Sequence, residues 1–98
     1  MDSVQKLEAL DAIVGAIAHP ARRHILLTVH LRGAMTAGDI AKRFAHAWPT
    51  TTRHLRVLEE AGLLTHTKQG RNHVYAVDHK LLELVDEWLA WFKKPPPA

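Results

Sequence analysis

The chain has no cysteine among its 98 residues, so it can form neither a disulfide framework nor a thiolate metal site. It also lacks any apolar run near the length of about 20 residues that a membrane-spanning helix needs. Its amphipathic start, MDSVQKLEAL, carries acidic residues and is unlike a secretion signal. These absences favour a cytoplasmic protein.

The residue patterns of common enzymes are missing as well. Ser3 is the only serine, and the chain has neither a nucleophile motif nor a glycine-rich phosphate loop. Glu8 and Asp11 belong to an amphipathic helical segment, and we interpret them as part of its solvated face. We therefore expect a protein that is not an enzyme and that uses no cofactor.

The chain does contain enough apolar residues for one folded domain. Hydrophobic residues make up 47% of the sequence, which is ordinary for a folded protein and argues against disorder. Neither an internal repeat nor a linker divides it, so residues 1–98 are predicted to form a single domain. A chain this short buries a modest share of its surface, and self-association would stabilise it.

Positive charge is concentrated in the middle of the chain. The net charge is +3 overall, but residues 19–77 contain nine Lys and Arg against three acidic residues. Both flanking segments, 1–18 and 78–98, are slightly acidic. A basic centre is the expected signature of phosphate contact, although a merely soluble charged surface is the alternative.

Proline, glycine and apolar spacing predict the first two helices. Ser3 is predicted to cap a helix that runs to about Ala18. Pro20 opens a second helix, and Gly33 ends it after Arg32.

Two arginines conflict with this second helix. Arg22 and Arg23 lie in its first turn, where the helix dipole favours acidic residues. This conflict suggests that they bind a phosphate or a carboxylate of the first helix. The alternative is a pair of solvated arginines.

The next two helices are predicted to form a helix-turn-helix over residues 36–61. Thr36 and Asp39 resemble a capping box that opens a short third helix. Pro49 can open the fourth helix, and Gly62 ends it because glycine enters the left-handed conformation cheaply. The connection between the two helices is short, as this motif requires.

A β-hairpin and a last helix complete the predicted fold. The hairpin spans residues 64–77, where strand-forming runs flank the turn Gln69-Gly70-Arg71-Asn72. Asp78 is predicted to cap a last helix, residues 78–93. Apolar residues lie on most sides of this helix, so another surface must cover them. Residues 94–98, with three consecutive prolines, form a frayed tail. The predicted fold class is mainly α with a small β-hairpin wing, in the order ααααββα.

Three blocks and the hairpin carry a family resemblance. The blocks are His19-Pro20-Ala21-Arg22-Arg23-His24-Ile25-Leu26, Met35-Thr36-Ala37-Gly38-Asp39-Ile40-Ala41 and Thr52-Arg53-His54-Leu55-Arg56-Val57-Leu58-Glu59-Glu60-Ala61-Gly62-Leu63-Leu64. In the hairpin, Gly70-Arg71-Asn72 is followed by Val74-Tyr75. With these residues the chain resembles the ArsR family of bacterial winged helix-turn-helix repressors over nearly its whole length. The resemblance implies a homodimer built from residues 1–18 and 78–93. It also implies double-stranded operator DNA as the partner and repression that a signal relieves.

The fourth helix and the wing are the expected DNA-binding elements. The helix suits a major groove, and the hairpin can reach the flanking backbone or minor groove. Arg53 can bind a guanine or a phosphate, and Arg71 is the best wing contact because a narrow minor groove attracts arginine. The predicted DNA contacts are Lys42, Arg43, Trp48, Thr50, Thr52, Arg53, His54, Arg56, Lys68, Gln69, Arg71 and Asn72. The alternative for the wing is a solvated polar turn. The alternative for the threonines is a structural role, in which one of them caps the helix and Thr51 points into the core.

Ala47 and Trp48 depart from the family pattern. Family members usually have Ser or Thr as the cap, followed by a polar residue such as Gln. Ala47 caps poorly, at a cost of about 1 kcal/mol. Trp48 cannot repeat an amide's bidentate contact with adenine. We expect it to stack on sugar or thymine methyl groups or to fold back onto the helix, so the operator preference of relatives does not transfer.

The first and last helices supply the predicted dimer interface. Its residues are Leu7, Leu10, Val14, Leu81, Leu84, Val85, Trp88 and Trp91. The alternative is a protein-interaction module that binds a different protein with the same surface, but a homodimer accounts for the surface more simply.

The eight histidines give no pattern of metal ligands. No two are separated by two, three or four residues, so no helix offers a paired ligand face. The last helix contains only His79, whereas the family's metal site there needs an acidic residue and several histidines. We predict no metal site; the one pair worth noting is His66 and His73 in the hairpin. A metal-responsive repressor with histidine ligands across the dimer interface is the alternative. The sequence identifies no effector.

Overall fold

The computed structural model describes residues 1–98 and consists of five α-helices and a three-stranded antiparallel sheet. The elements in chain order are α1 (Ser3–Ile17), α2 (Pro20–Arg32), β1 (Met35–Thr36), α3 (Ala37–Phe44), α4 (Trp48–Glu60), β2 (Leu64–Gln69), β3 (Asn72–Val77), a 3₁₀ turn (Lys80–Leu82) and α5 (Glu83–Trp91). The predicted mainly α fold with a hairpin wing is confirmed. The short strand β1 is an addition that the sequence did not indicate.

The start of α1 corrects the predicted cap. Asp2, and not Ser3, is the N-cap: its carboxylate accepts a 2.8 Å hydrogen bond from the Gln5 backbone N–H. The Gln5 side-chain oxygen accepts in return from the Asp2 backbone N–H at 3.0 Å. This reciprocal pair is a capping box with glutamine in the third position, which satisfies two of the free N–H groups at the helix start.

The corner between α1 and α2 explains the two conflicting arginines. Arg22 Nε donates a 2.6 Å hydrogen bond to the backbone oxygen of Ala16, and Arg23 Nη1 donates a 2.7 Å bond to that of Ile17. The arginines therefore bind the free carbonyls at the C-terminus of α1, where positive charge is favourable. The prediction that these arginines bind a phosphate or a carboxylate was wrong.

The helix-turn-helix begins and ends with capping interactions. Thr36 is the N-cap of α3, and its hydroxyl accepts a 3.1 Å bond from the Asp39 backbone N–H. At the end of α4, the Leu63 N–H donates to the Leu58 carbonyl, and the Gly62 N–H donates to the Glu59 carbonyl, both at 2.9 Å. This pair of bonds is a Schellman motif, and it needs the left-handed φ of +77° that Gly62 adopts.

The sheet has the strand order β1-β3-β2. Strands β2 and β3 pair from Leu64 with Val77 to Gln69 with Asn72, which are the bounds expected for the wing. Strand β1 adds two pairs to the other edge of β3, one of them between Met35 and Tyr75. The sheet thus connects the segment before α3 directly to the wing.

The last helix starts later than predicted. The Asp78 carboxylate accepts a 3.0 Å bond from the Lys80 N–H, but this bond opens only a 3₁₀ turn. The α-helix itself runs from Glu83 to Trp91, so the predicted helix 78–93 was too long at both ends. Residues 95–98 follow without regular secondary structure.

The core lies between the helices and the base of the sheet. Its fully buried side chains come from α1, α2, α3, α4 and the start of the wing: Ile13, Ile25, Val29, Ile40, Thr51, Leu58 and Leu63. None of the helices combines the length and the apolar character that crossing a membrane requires.

Candidate nucleic-acid interface

Helix α4 divides into a buried face and an exposed face. The buried positions are Thr51, His54, Leu55 and Leu58, which have the 3–4 spacing of a single helix stripe. Arg53 and Arg56 lie on the other side and are exposed. The helix is therefore anchored by one face and presents positive charge on the other, as a recognition helix must.

His54 was predicted to contact DNA, and this prediction was wrong. Its side chain is only 6% exposed and lies in the buried stripe, beside the rings of His19 and His46. The sequence-based alternative for Thr51 is confirmed, because this threonine is fully buried. Thr51 and His54 are polar, so their residue type did not indicate that they belong to the buried stripe. Their helical spacing from Leu55 and Leu58 does indicate it.

The first turn of α4 exposes a large aromatic side chain. Ala47 is the N-cap and makes no side-chain cap hydrogen bond, as expected. Trp48 is 58% exposed. The Thr52 hydroxyl donates a 2.9 Å hydrogen bond to the Trp48 carbonyl. The methyl group of Thr52 and the two lone pairs of its hydroxyl oxygen therefore remain available to a ligand, while Thr50 beside it is half-buried.

The wing carries a second set of exposed polar residues. Lys68, Gln69, Arg71 and Asn72 are all exposed around the hairpin turn. Gln69 pairs with Asn72, so the turn between the strands contains only Gly70 and Arg71. Gly70 has a φ of +63°, a conformation that two-residue hairpin turns need. Arg71 therefore lies at the tip, where it can reach a groove.

Glu59 joins the wing to the recognition helix, and sequence reasoning missed it. The Glu59 carboxylate on α4 accepts from His66 Nδ1 on β2, which lies 2.9 Å from both oxygens. Burial, the charge of Glu59 and a hydrogen bond to Glu59 raise the pKa of Tyr75 on β3 to about 12. One carboxylate thus interacts with both strands of the wing. The only signal in the sequence was the acidic pair Glu59 and Glu60 at the end of the recognition helix, within a basic segment.

Helix α3 contributes two further cations near its C-terminus. Lys42 and Arg43 lie in its last turn and are exposed. The Arg43 guanidinium stacks 5.5 Å from the centre of the Phe44 ring. Cations in this position are favourable because the helix dipole is negative there. They extend the exposed positive charge of α4 and the wing.

Comparisons with known proteins agree on one family. A family model described as a helix-turn-helix domain matches residues 17–67. The transcriptional repressor SdpR of Bacillus subtilis is 31% identical over 83 residues, which are 85% of this chain and 91% of SdpR. A crystal structure of an ArsR family transcriptional regulator is 35% identical, with a TM-score of 0.80 and coverage of 88% of both chains. The chain belongs to the ArsR family. It is thus a winged helix-turn-helix transcriptional regulator and not an enzyme.

A further solved structure that is similar to this chain is described as a homodimer. It is the solution structure of a homodimeric winged helix-turn-helix DNA-binding domain from Mycobacterium bovis. Its TM-score to this ArsR-family chain is 0.74 at 19% identity, with coverage of 95% of this chain and 87% of the relative. At this identity the likeness shows the shared fold.

The predicted dimer interface of this ArsR-family protein falls into two groups. Leu7, Val14, Trp88 and Trp91 are exposed, with Trp88 at 47% and Trp91 at 69%. Leu10 is half-buried, and Leu81, Leu84 and Val85 are half-buried against the core of their own chain. A groove of about 360 Å³ between α1 and α5 is lined by Leu7, Leu10, Leu84, Trp88 and Trp91. Val4, Leu89 and Phe92 are exposed as well, and the prediction omitted them.

The hairpin histidines are close but not directly opposite. Their rings lie 5.1 Å apart, but His66 pairs with Tyr75, and His73 pairs with Lys68. They are therefore diagonal neighbours. His66 uses Nδ1 for its bond to Glu59, so only Nε2 is available for another partner.

Proposed function

We propose that this ArsR-family protein is a homodimeric repressor that binds an inverted-repeat operator in the cytoplasm. The observation that carries the proposal is the division of α4 into a buried stripe and an exposed basic stripe, beside a wing that Glu59 fixes to the same helix. In a symmetric dimer two copies of α4 would enter successive major grooves, about one helical turn apart.

The DNA contacts divide by chemistry. Trp48, Thr50, Thr52 and Arg53, from the first turns of α4, face base edges. Arg56, Lys42 and Arg43 bind phosphates, which position the protein without reading sequence. Lys68, Gln69, Arg71 and Asn72 bind the backbone or minor groove beside the site. The exposed indole of Trp48 supplies apolar contact to sugars and thymine methyl groups.

The apolar strip along α1 and α5 supports the homodimer. Two exposed tryptophans, Trp88 and Trp91, flank the groove between these helices. Aromatic side chains in such pockets dominate binding energy at interfaces. A second copy of the chain offers the same strip, so the contact can be isologous.

The decisive experiment measures binding to the DNA upstream of the protein's own gene, as a function of salt. Arg53→Ala is expected to cost about 1–3 kcal/mol of specific binding if Arg53 contacts a base. Arg71→Ala is expected to weaken binding and reduce the salt slope by about one. Arg32→Ala is the matched control, since Arg32 is an exposed arginine at the end of α2 and outside the proposed interface.

Unchanged operator affinity in Arg53→Ala contradicts its role, and an unaltered salt slope in Arg71→Ala contradicts the wing contact. Binding no tighter than to random DNA at low salt overturns the repressor and favours a protein-interaction module. The same titration with zinc tests the metal-responsive alternative, in which zinc weakens binding through histidines of two subunits.

A further inference from the structure

Three histidine rings meet where the start of α2, the α3–α4 turn and α4 converge. His19 precedes α2, His46 lies in the turn between α3 and α4, and His54 lies in α4. The ring centres of His19 and His54 are 4.8 Å apart, and those of His46 and His54 are 5.4 Å apart. We call these three residues the histidine cluster. None of them is needed for the DNA contacts proposed above.

The central ring of the cluster is buried and incompletely hydrogen-bonded. His54 is 94% buried, and its Nδ1 has no hydrogen-bond partner. Nδ1 of His46 is also buried without a partner. A neutral imidazole tolerates such a site at moderate cost, but a buried charge without a counter-ion is much more costly.

The charges around His54 oppose its protonation. Burial lowers the pKa of His54 below its ordinary value of 6.5, and positive charge on His19, His46, Arg22 and Arg53 lowers it further. These groups face it from the start of α2, from the α3–α4 turn and from α4 itself. No carboxylate is among the groups that shift this pKa.

The hydrogen bond of His19 favours a proton over a metal ion as the partner of this cluster. His19 caps α2 by accepting a 3.1 Å hydrogen bond from the Ala21 N–H at Nδ1. In the neutral ring the hydrogen is then on Nε2, which leaves no lone pair there for a metal. This leaves His54, whose buried Nδ1 has no hydrogen-bond partner, as the ring of the cluster on which protonation acts.

We propose that the histidine cluster is an acid-sensitive lock on the recognition helix. In the neutral state the three rings pack together and hold α4 against the start of α2. Protonation of His54 places a positive charge in a buried site beside Arg22, Arg53 and the two other rings, and α4 separates from the start of α2 to return this charge to water. The exposed face of α4 then loses its position relative to the wing, and operator binding is lost. This inference rests on the proposed DNA-binding function.

The sign of the effect follows from linkage. Because the locked state has a lowered pKa for His54, the unlocked state binds the proton more tightly. The lock is therefore fully formed above about pH 6.5 and weakens as pH falls through the lowered pKa. For uptake of one proton, operator affinity falls by up to about tenfold per pH unit below the transition. Affinity for random DNA does not fall, since added positive charge strengthens phosphate contact.

The test measures binding to DNA upstream of the protein's own gene and to a random duplex, between about pH 5 and pH 8. Ionic strength is constant, and a chelator is present. The expected result is an acid-dependent fall in operator affinity for the wild type and a flat profile for His54→Gln. His24→Gln is the matched control, because His24 is exposed on α2 outside the cluster, and it keeps the wild-type profile.

Two further measurements keep the proposal falsifiable if His54→Gln fails to fold. His54→Leu replaces the ring with a neutral apolar side chain of suitable size for a buried position, and it too is expected to bind independently of pH. An NMR titration of the wild-type histidine rings is expected to show that His54 protonates together with the loss of operator binding.

Several results overturn the lock. They are a flat wild-type profile, an acid-dependent fall that persists in His54→Gln, and zinc-dependent loss of binding that disappears in His54→Gln. Absence of specific binding even at about pH 7.5 contradicts the proposed function itself, so the two failures are distinguishable.

Discussion

Replacing Gly62 with alanine tests how the recognition helix is connected to the segment that leads into α5. Gly62 ends α4 with a φ of +77°, and a Cβ atom at this position would lie 2.7 Å from Leu81 Cδ1. Leu81 belongs to the 3₁₀ turn before α5 and packs against the core. The substitution therefore lowers the free energy of unfolding in two separate ways, through backbone strain and through a packing clash.

The magnitudes of the two costs can be separated. The left-handed backbone costs an alanine about 1–2 kcal/mol relative to glycine. Overpacking against Leu81 costs about 1–3 kcal/mol, at the lower end if the methyl group can rotate away. We expect Gly62→Ala to lose about 2–5 kcal/mol of unfolding free energy, the sum of the two ranges. Gly70→Ala is the matched control, because Gly70 has a φ of +63° and open space where Cβ would lie.

The assay is urea unfolding at fixed protein concentration, with the midpoint and the slope fitted separately. Gly70→Ala is expected to show the backbone cost alone. The double variant Gly62→Ala/Leu81→Ala is expected to be more stable than the sum of its single variants predicts, because the alanine at position 81 removes the clash. Equal losses in Gly62→Ala and Gly70→Ala, together with additive single variants, would refute the proposed contact.

Two further predictions concern the dimer surface and the wing. Trp88→Ala is expected to weaken self-association by about 2 kcal/mol or more, because Trp88 lines the groove between α1 and α5; sedimentation of an unchanged dimer would contradict this role. Tyr75 is the only tyrosine, so absorbance titration reports its phenol alone, and we expect ionisation near pH 12 in the wild type and at lower pH in Glu59→Gln. Because the folded-state pKa is raised, the stabilisation from neutral Tyr75 is complete below about pH 10 and is lost as pH rises through about 12. Ionisation of the wild-type phenol near pH 10 would count against the Glu59 contact.

The sequence predicted those parts of the fold that depend on residues close together in the chain. Pro20 and Gly33 bound α2 as expected, and Gly62 ends α4, because these residues restrict or permit backbone angles by themselves. The wing strands likewise follow from their composition and from the turn around Gly70. Each of these signals acts within a few residues, so the sequence contains it directly.

The parts that the sequence missed depend on distant partners. Strand β1 has only two residues, and it exists because Met35 and Thr36 pair with β3, about 40 positions along the chain. The cap function of Arg22 and Arg23 required the C-terminus of α1 to lie beside the start of α2. His54 was assigned to DNA because it follows the N-terminus of α4, which faces base edges in the family pattern, although its spacing to Leu58 places it on the buried face.

The structure fixes the recognition helix at three points, and each connects it to a different functional part. His54 packs against the start of α2, Glu59 binds His66 of the wing, and Gly62 underlies Leu81 at the start of the segment leading to α5. Leu81 occupies the space that a side chain at position 62 would fill, so the end of α4 and the segment leading to α5 approach each other closely there. The Gly62→Ala/Leu81→Ala pair measures how tight this approach is, because the two substitutions are non-additive only if the side chains at positions 62 and 81 meet.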